Sequence, residues 1–157
     1  MDAASTAKYT NIDDIIVNTI TQSMIDSWMN PSSLYATNIK DKINKCRENI
    51  AKFIGAKSDE VYYTSGASES NNWVIRGWTD TCLSCDCSNI NIITTPIEHK
   101  SILSAVKNPN LNVVVRYCDV DEFGLVDLKS LEDLLWICDK EHVLVSISAA
   151  NNEIGTI

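Results

Sequence analysis

Three short segments of the sequence carry residue types able to do chemistry. Thr64-Ser65-Gly66-Ala67-Ser68-Glu69-Ser70-Asn71 reads as a strand end, a tight turn and a helix start. Exposed amides at such a helix start favour an anion, typically a phosphate, and the Ser68 hydroxyl is a further donor. Alternatively, Ser65 or Ser68 simply caps the helix, and the Glu69 carboxylate competes for the same positive end. The spacing matches neither a Walker loop nor a dinucleotide loop. The second segment, Thr94-Thr95-Pro96-Ile97-Glu98-His99-Lys100-Ser101, again runs from a strand into a helix. There His99 can stack on a planar ligand, act as acid or base, or only cap and pack. Lys100 is able to condense with an aldehyde, but beside a turn it reads as a surface charge. In the third segment, Ala149 to Thr156, Asn151 and Asn152 are either uncharged donors at a strand's end or turn formers.

Other clusters carry less. Cys82-x-x-Cys85-x-Cys87 has metal-like spacing, but a closed zinc site needs four Cys or His ligands and no second pair stands nearby. It reads as a loop with exposed thiols, and no metal is expected. Cys46, Cys118 and Cys138 fall in periodic apolar segments, where free cysteine behaves as a small buried hydrophobe. Asp119-x-Asp121-x-x-Gly124 fails as a calcium loop because the twelfth position is Ser130. Gly66-Ala67-Ser68-Glu69-Ser70 misses a nucleophile elbow by its last residue. A serine hydrolase built on Ser68 and His99, which would need an orienting acid, is the most distant alternative.

Hydrophobic periodicity shows which elements position these segments. Ile12, Ile15, Ile16, Ile20, Met24, Ile25 and Trp28 predict a helix ending at Asn30-Pro31-Ser32-Ser33. Ile39, Ile43, Cys46, Ile50, Phe53 and Ile54 predict a second, stopped by Gly55. Glu60 to Thr64 then reads as a strand and Ser68 to Trp78 as a helix. Strand Asn89 to Thr94, helix Glu98 to Val106 and strand Leu111 to Cys118 follow the Cys-rich loop. Asp127 caps a further helix through Leu128, Leu131, Leu134, Leu135 and Ile137, and His142 to Ser148 is the last strand. The expectation is a helical segment over 1–59 and, over 60–157, the first part of an α/β domain with a mainly parallel sheet flanked by helices. The sequence stops where the next helix should begin, which reads as part of something larger.

Composition narrows the function. Thirteen Lys and Arg against twenty-one Asp and Glu, a net charge of -8 without a basic block, argue against nucleic acid or an anionic membrane as partner. No apolar run approaches the ~20 residues of a membrane helix. The start, Met1 to Thr10, lacks the pattern of a secretory signal, so a cytoplasmic protein is expected.

Taken together, Asn30-Pro31-Ser32-Ser33, Tyr63 to Asn72, Ile97-Glu98-His99-Lys100 and Asn151-Asn152-Glu153-Ile154-Gly155-Thr156 resemble the class V aminotransferase family, in its NifS/IscS-like cysteine desulfurase branch. The resemblance implies the large domain of a fold type I transferase dependent on pyridoxal 5'-phosphate, incomplete here. It further implies removal of sulfur from L-cysteine, giving alanine and an enzyme-bound persulfide. By resemblance, Ala67 and Ser68 hold the cofactor phosphate, His99 stacks on its ring and assists proton transfer, and Asn152 donates to its phenolic oxygen. The family assembly is a homodimer. Departures are visible: Ala7-Lys8-Tyr9-Thr10 stands for an Ala-Thr-Thr run, and Ser68 replaces a threonine. The Cys82–Cys87 loop looks inserted and matches no persulfide cysteine. The family's cofactor-binding lysine, ring-holding aspartate and persulfide cysteine lie beyond Ile157, so a complementing C-terminal segment is expected and this chain alone is not expected to be competent. The rival reading is a non-catalytic scaffold that binds other proteins. The asparagine- and isoleucine-rich composition would suit a large cytoplasmic DNA virus.

Overall fold

The computed structural model describes residues 14–26, 30, 32–33, 37–85, 87, 89–138 and 142–157. They fall into two compact units, one ending at Tyr63 and the other beginning at Thr64.

The first unit is helical: α1 (Asp14–Asp26), α2 (Thr37–Ile54) and a single 3-10 turn at Ser58–Glu60. Gly55 ends α2 at φ 73°, where a side chain would be strained, and the Ala56 N–H bonds back to the Ala51 carbonyl at 2.8 Å. The Asn30 turn is present, its carbonyl accepting from the Ser33 N–H and its side chain from the Ser32 N–H, both at 2.9 Å. Ile12, Trp28, Pro31 and the Ala7–Thr10 run lie outside the described residues.

Two expectations are corrected in this unit. Residues 61–64 form no strand. The backbone is extended at Val61, as β-branched and aromatic residues favour, but its carbonyl accepts from Arg47 Nε at 3.0 Å and no ladder partner is present among the described residues. Extended conformation is a local property; pairing is not. Cys46 is exposed rather than buried, because among the described side chains of α2 only Ile39 and Ala51 are buried. Ile50, Phe53 and Ile54 stand largely exposed on the same helix.

The second unit alternates helix and strand: α3 (Ala67–Ser84), β1 (Asn91–Thr94), α4 (Lys100–Val106), β2 (Val114–Tyr117), α5 (Leu128–Ile137) and β3 (Val143–Ser146). The three strands are parallel in the order β2-β1-β3, with Ile92 opposite Val115 on one side and Leu144 on the other. Successive side chains of β1 point to opposite faces. Ile92 therefore packs with Ile75 of α3 and Ile102, Ala105 and Val106 of α4. Ile93 packs with Cys118 and Cys138, against Leu131, Leu134 and Leu135 around α5. The result is three layers, with the parallel sheet between α3 and α4 on one face and α5 on the other.

All four residues of β1 are buried, as a strand covered on both faces requires, while β2 and β3 at the sheet's edges are partly exposed. Asp127 caps α5, its carboxylate accepting from the N–H groups of Lys129 at 2.8 Å and Ser130 at 3.3 Å. Several expected boundaries move: the strands shorten to Asn91–Thr94, Val114–Tyr117 and Val143–Ser146, α4 starts at Lys100 rather than Glu98, and α3 continues past Trp78 to Ser84, so Cys82 belongs to the last turn of a helix and not to a loop. The reason for the last is that Thr79 is fully buried and bonds its hydroxyl back to the Ile75 carbonyl, keeping the helical face in the core for another turn. No helix of the described residues is long and apolar enough to cross a membrane, and among them no group of His, Cys, Asp or Glu is arranged to hold a metal ion.

Candidate functional site

The chain passes from β1 through α4 to β2 on one side, then back across the sheet through α5 to β3. The order thus reverses about β1, and in open parallel sheets such a reversal opens a crevice at the carboxyl ends of the strands where ligands bind. The segments leaving β1 and β3 both end there.

At the start of α3 the backbone turns at Gly66, φ 158° and ψ 179°, a conformation that residues with side chains rarely adopt. Gly66 offers no side-chain cap to the helix. The first intrahelical bond is from the Ser70 N–H to the Gly66 carbonyl at 3.1 Å, so the amides of Ala67, Ser68 and Glu69 precede the ladder, as the first donors of any helix do. The Ser68 side chain is exposed.

The Glu69 carboxylate, expected to compete for this helix end, is turned back onto Ser65. One oxygen accepts the Ser65 N–H and hydroxyl, each at 2.6 Å. Those bonds, the hydroxyl first, hold its pKa below the ordinary carboxylate value.

His99 is the N-cap of α4, and its exposed ring accepts at Nδ1 from the Ser101 backbone N–H at 3.1 Å. The Ser101 hydroxyl lies 2.8 Å from the same nitrogen and itself accepts from Asn71 Nδ2 of α3 at 2.8 Å. A backbone N–H can only donate, so Nδ1 is the acceptor and the neutral ring keeps its proton on Nε2. This chain of contacts, Asn71 to Ser101 to His99, ties the first turns of α3 to the histidine.

Beside His99, Glu98 is buried. Its Oε1 accepts from the Ser148 N–H at 2.7 Å and Thr95 Oγ1 at 3.2 Å, and its Oε2 accepts from the Ser148 hydroxyl at 2.5 Å. Asn151 Nδ2 donates to the Ile97 carbonyl at 3.0 Å, while its Oδ1 accepts the N–H groups of Glu153 and Ile154 at 2.9 and 3.3 Å. Asn151 thus shapes the turn that carries exposed Asn152. A hollow of about 200 Å³ opens between these loops, walled by Thr95, Glu98, Gly124, Ser148, Asn151 and Thr156 among others. Ser68, His99 and Asn152 are not among its walls.

The structure therefore joins the three sequence-identified segments through residues the sequence reading left without a role: Asn71, Ser101, Glu98 and Ser148. Their signal was positional. Each stands within four residues of a candidate, at an element's end, where short polar side chains bond across to another element. Lys100 is the exposed first residue of α4.

Fold and site define a three-layer α/β protein with a glycine-opened helix start and a histidine at the carboxyl edge of a parallel sheet. The chain belongs to the class-V aminotransferase family, whose model, described as "Aminotransferase class-V", matches residues 1–157. It is 40% identical over 135 residues to the cysteine desulfurase IscS of Clostridium botulinum, covering 84% of this chain and 32% of that protein. The mitochondrial cysteine desulfurase of Saccharomyces cerevisiae is 35% identical over 152 residues, covering 94% of this chain and 29% of its own. Among solved structures, a NifS-like protein superposes with a TM-score of 0.76 at 36% identity, over 91% of this chain and 38% of that one. SspA in complex with cysteine gives 0.76 at 29%, over 92% and 41%. The resemblance to the NifS/IscS-like branch is borne out. The chain spans about a third of the length of the curated relatives it matches. Enzymes of this family use pyridoxal phosphate.

Proposed function

We propose that this chain forms the N-terminal part of a cytoplasmic, homodimeric cysteine desulfurase and carries one wall of its pyridoxal phosphate site. The observation that carries the reading is the Asn71–Ser101–His99 contact chain, which links the open start of α3 to an exposed imidazole.

The residues present suit a flat, phosphorylated group. The amides of Ala67 and Ser68 with the Ser68 hydroxyl would hold the phosphate, an arrangement to which helix starts are predisposed. Glu69, drawn onto Ser65, leaves those donors uncovered. His99 would lie against the ring with Nδ1 already engaged, so Nε2 is the atom at which it holds or gives a proton. Asn152, presented by the Asn151 turn, would donate to the ring's phenolic oxygen. When bound, pyridoxal phosphate supplies an electron sink that lets the carbon–sulfur bond of L-cysteine break. Alanine and a persulfide on a cysteine outside this chain are the products. The lysine that binds the cofactor and the persulfide cysteine would come from a complementing C-terminal segment, and this chain alone would not turn over.

The test is to produce residues 1–157 together with the C-terminal segment of a class-V relative. Expected are the visible absorbance of bound cofactor, a borohydride-fixed cofactor on a lysine outside residues 1–157, and sulfide and alanine from L-cysteine. His99→Ala should abolish turnover. An assembled protein that takes up no pyridoxal phosphate overturns the reading.

A further inference from the structure

The last turn of α3 and the residues just after it hold three cysteines that the proposed site does not use. Cys82 lies inside the helix and Cys85 is its C-cap, at φ -97° and ψ 16°. The N–H groups of Cys85 and Cys87 both bond to the Cys82 carbonyl at 3.1 Å, which folds the three residues into one tight turn. Cys85 is exposed, and Cys82 and Cys87 are half-buried. An eighteen-residue helix is ~27 Å long, so this turn is remote from Ala67 and Ser68 at the other end.

Positions i and i+3 of a helix share a face with Cα atoms about 5 Å apart, inside the span of a disulfide. Cys82 and Cys85 stand in that relation, because the Cys85 N–H closes an i to i+3 bond onto Cys82. Cys87 stands beyond the end of α3, where this i to i+3 relation does not extend. The Cys87 sulfur lies 3.9 Å from the Cys85 carbonyl oxygen.

We infer that Cys82 and Cys85 form a reversible dithiol–disulfide site, oxidised by small-molecule disulfides of the glutathione type. The exposed Cys85 thiolate attacks one sulfur of the oxidant, forming a mixed disulfide and expelling one thiolate. The Cys82 thiolate then attacks the Cys85 sulfur and expels the second. Two protein thiols are oxidised, the oxidant's disulfide is reduced to two thiols, and the two protons released by the cysteines end on those thiols.

The test is to hold the 157-residue chain in graded mixtures of glutathione and glutathione disulfide and follow intact mass and peptide maps. Expected is the reversible loss of two hydrogens, mapped to Cys82–Cys85, at a more reducing ratio in buffer than in urea. Cys82→Ser should stop at a glutathione adduct on Cys85, and Cys87→Ser should close as the parent does. Closure that persists in Cys82→Ser, that fails in Cys87→Ser, or that is equally easy in urea overturns the inference. So does accumulation of mixed disulfides alone on the parent chain.

Discussion

Glu98 and Ser148 are fifty residues apart in sequence, yet the Ser148 backbone N–H and hydroxyl both donate to the Glu98 carboxylate, at 2.7 and 2.5 Å. Glu98 leaves β1 and Ser148 leaves β3, so the contact pins together the two loops that carry His99 and Asn152. Removing the carboxylate strands three donors, the Ser148 N–H and hydroxyl and the hydroxyl of buried Thr95. Glu98→Ala is expected to cost roughly 2–3 kcal/mol in urea unfolding, with Glu98→Gln, which keeps one acceptor oxygen, costing less. Equal stability of parent and Glu98→Ala would show that the loops are held by other contacts.

A second prediction concerns the imidazole. Ser101→Ala removes the hydroxyl that bridges Asn71 to His99 Nδ1 while keeping the backbone N–H that also reaches this nitrogen. The ring should keep its Nε2-protonated tautomer, read from its ¹⁵N shifts, while stability falls by about 1 kcal/mol. Loss of the tautomer preference would show that the hydroxyl, and not the amide, sets it.

Glu69 yields a pH dependence. Its pKa is lowered by the Ser65 hydroxyl and then by the Ser65 amide, so the ionised form is favoured in the folded chain. The contribution to stability is in place above the ordinary carboxylate pKa and is lost as pH falls through the lowered one. Ser65→Ala should move the Glu69 carboxyl titration, followed by ¹³C NMR, upward toward the ordinary value. An unmoved titration would remove the hydroxyl as the cause.

Gly124, in the loop before α5, sits at φ 80°, and a Cβ there would collide with Ile154 Cδ1 and come within 3.3 Å of Ile97 Cδ1. Gly124→Ala should therefore destabilise by about 1–3 kcal/mol. Shortening Ile154 to Val in the same chain should recover part of the loss, and the backbone strain at positive φ should remain. Full recovery would assign the whole effect to the collision.

Much of this architecture was legible in the amino-acid order. Helix stripes, the Gly55 stop, the Asp127 cap and the apolar strand at Ile92-Ile93 are local signals, each set by the next few residues. The family was legible as well, because Tyr63 to Asn72, Ile97 to Lys100 and Asn151 to Thr156 are contiguous runs. What failed was whatever depended on a partner. Residues 61–64 have strand-like side chains but no ladder, Cys46 has a helical apolar position but no cover, and α3 outlasts its expected end because Thr79 is buried.

The sequence by itself determined which side chains are able to do chemistry, the His99 imidazole and the Ser68 hydroxyl among them, since being a donor or a base is a property of the side chain. Tertiary structure alone decided how they are held. Asn71 reaches Ser101 across thirty residues, and Ser148 and Asn151 reach Glu98 and Ile97 across fifty and fifty-four. A hydrogen bond needs its two atoms within a few ångströms, and over such separations only the packing of β1, β3 and their helices brings them there.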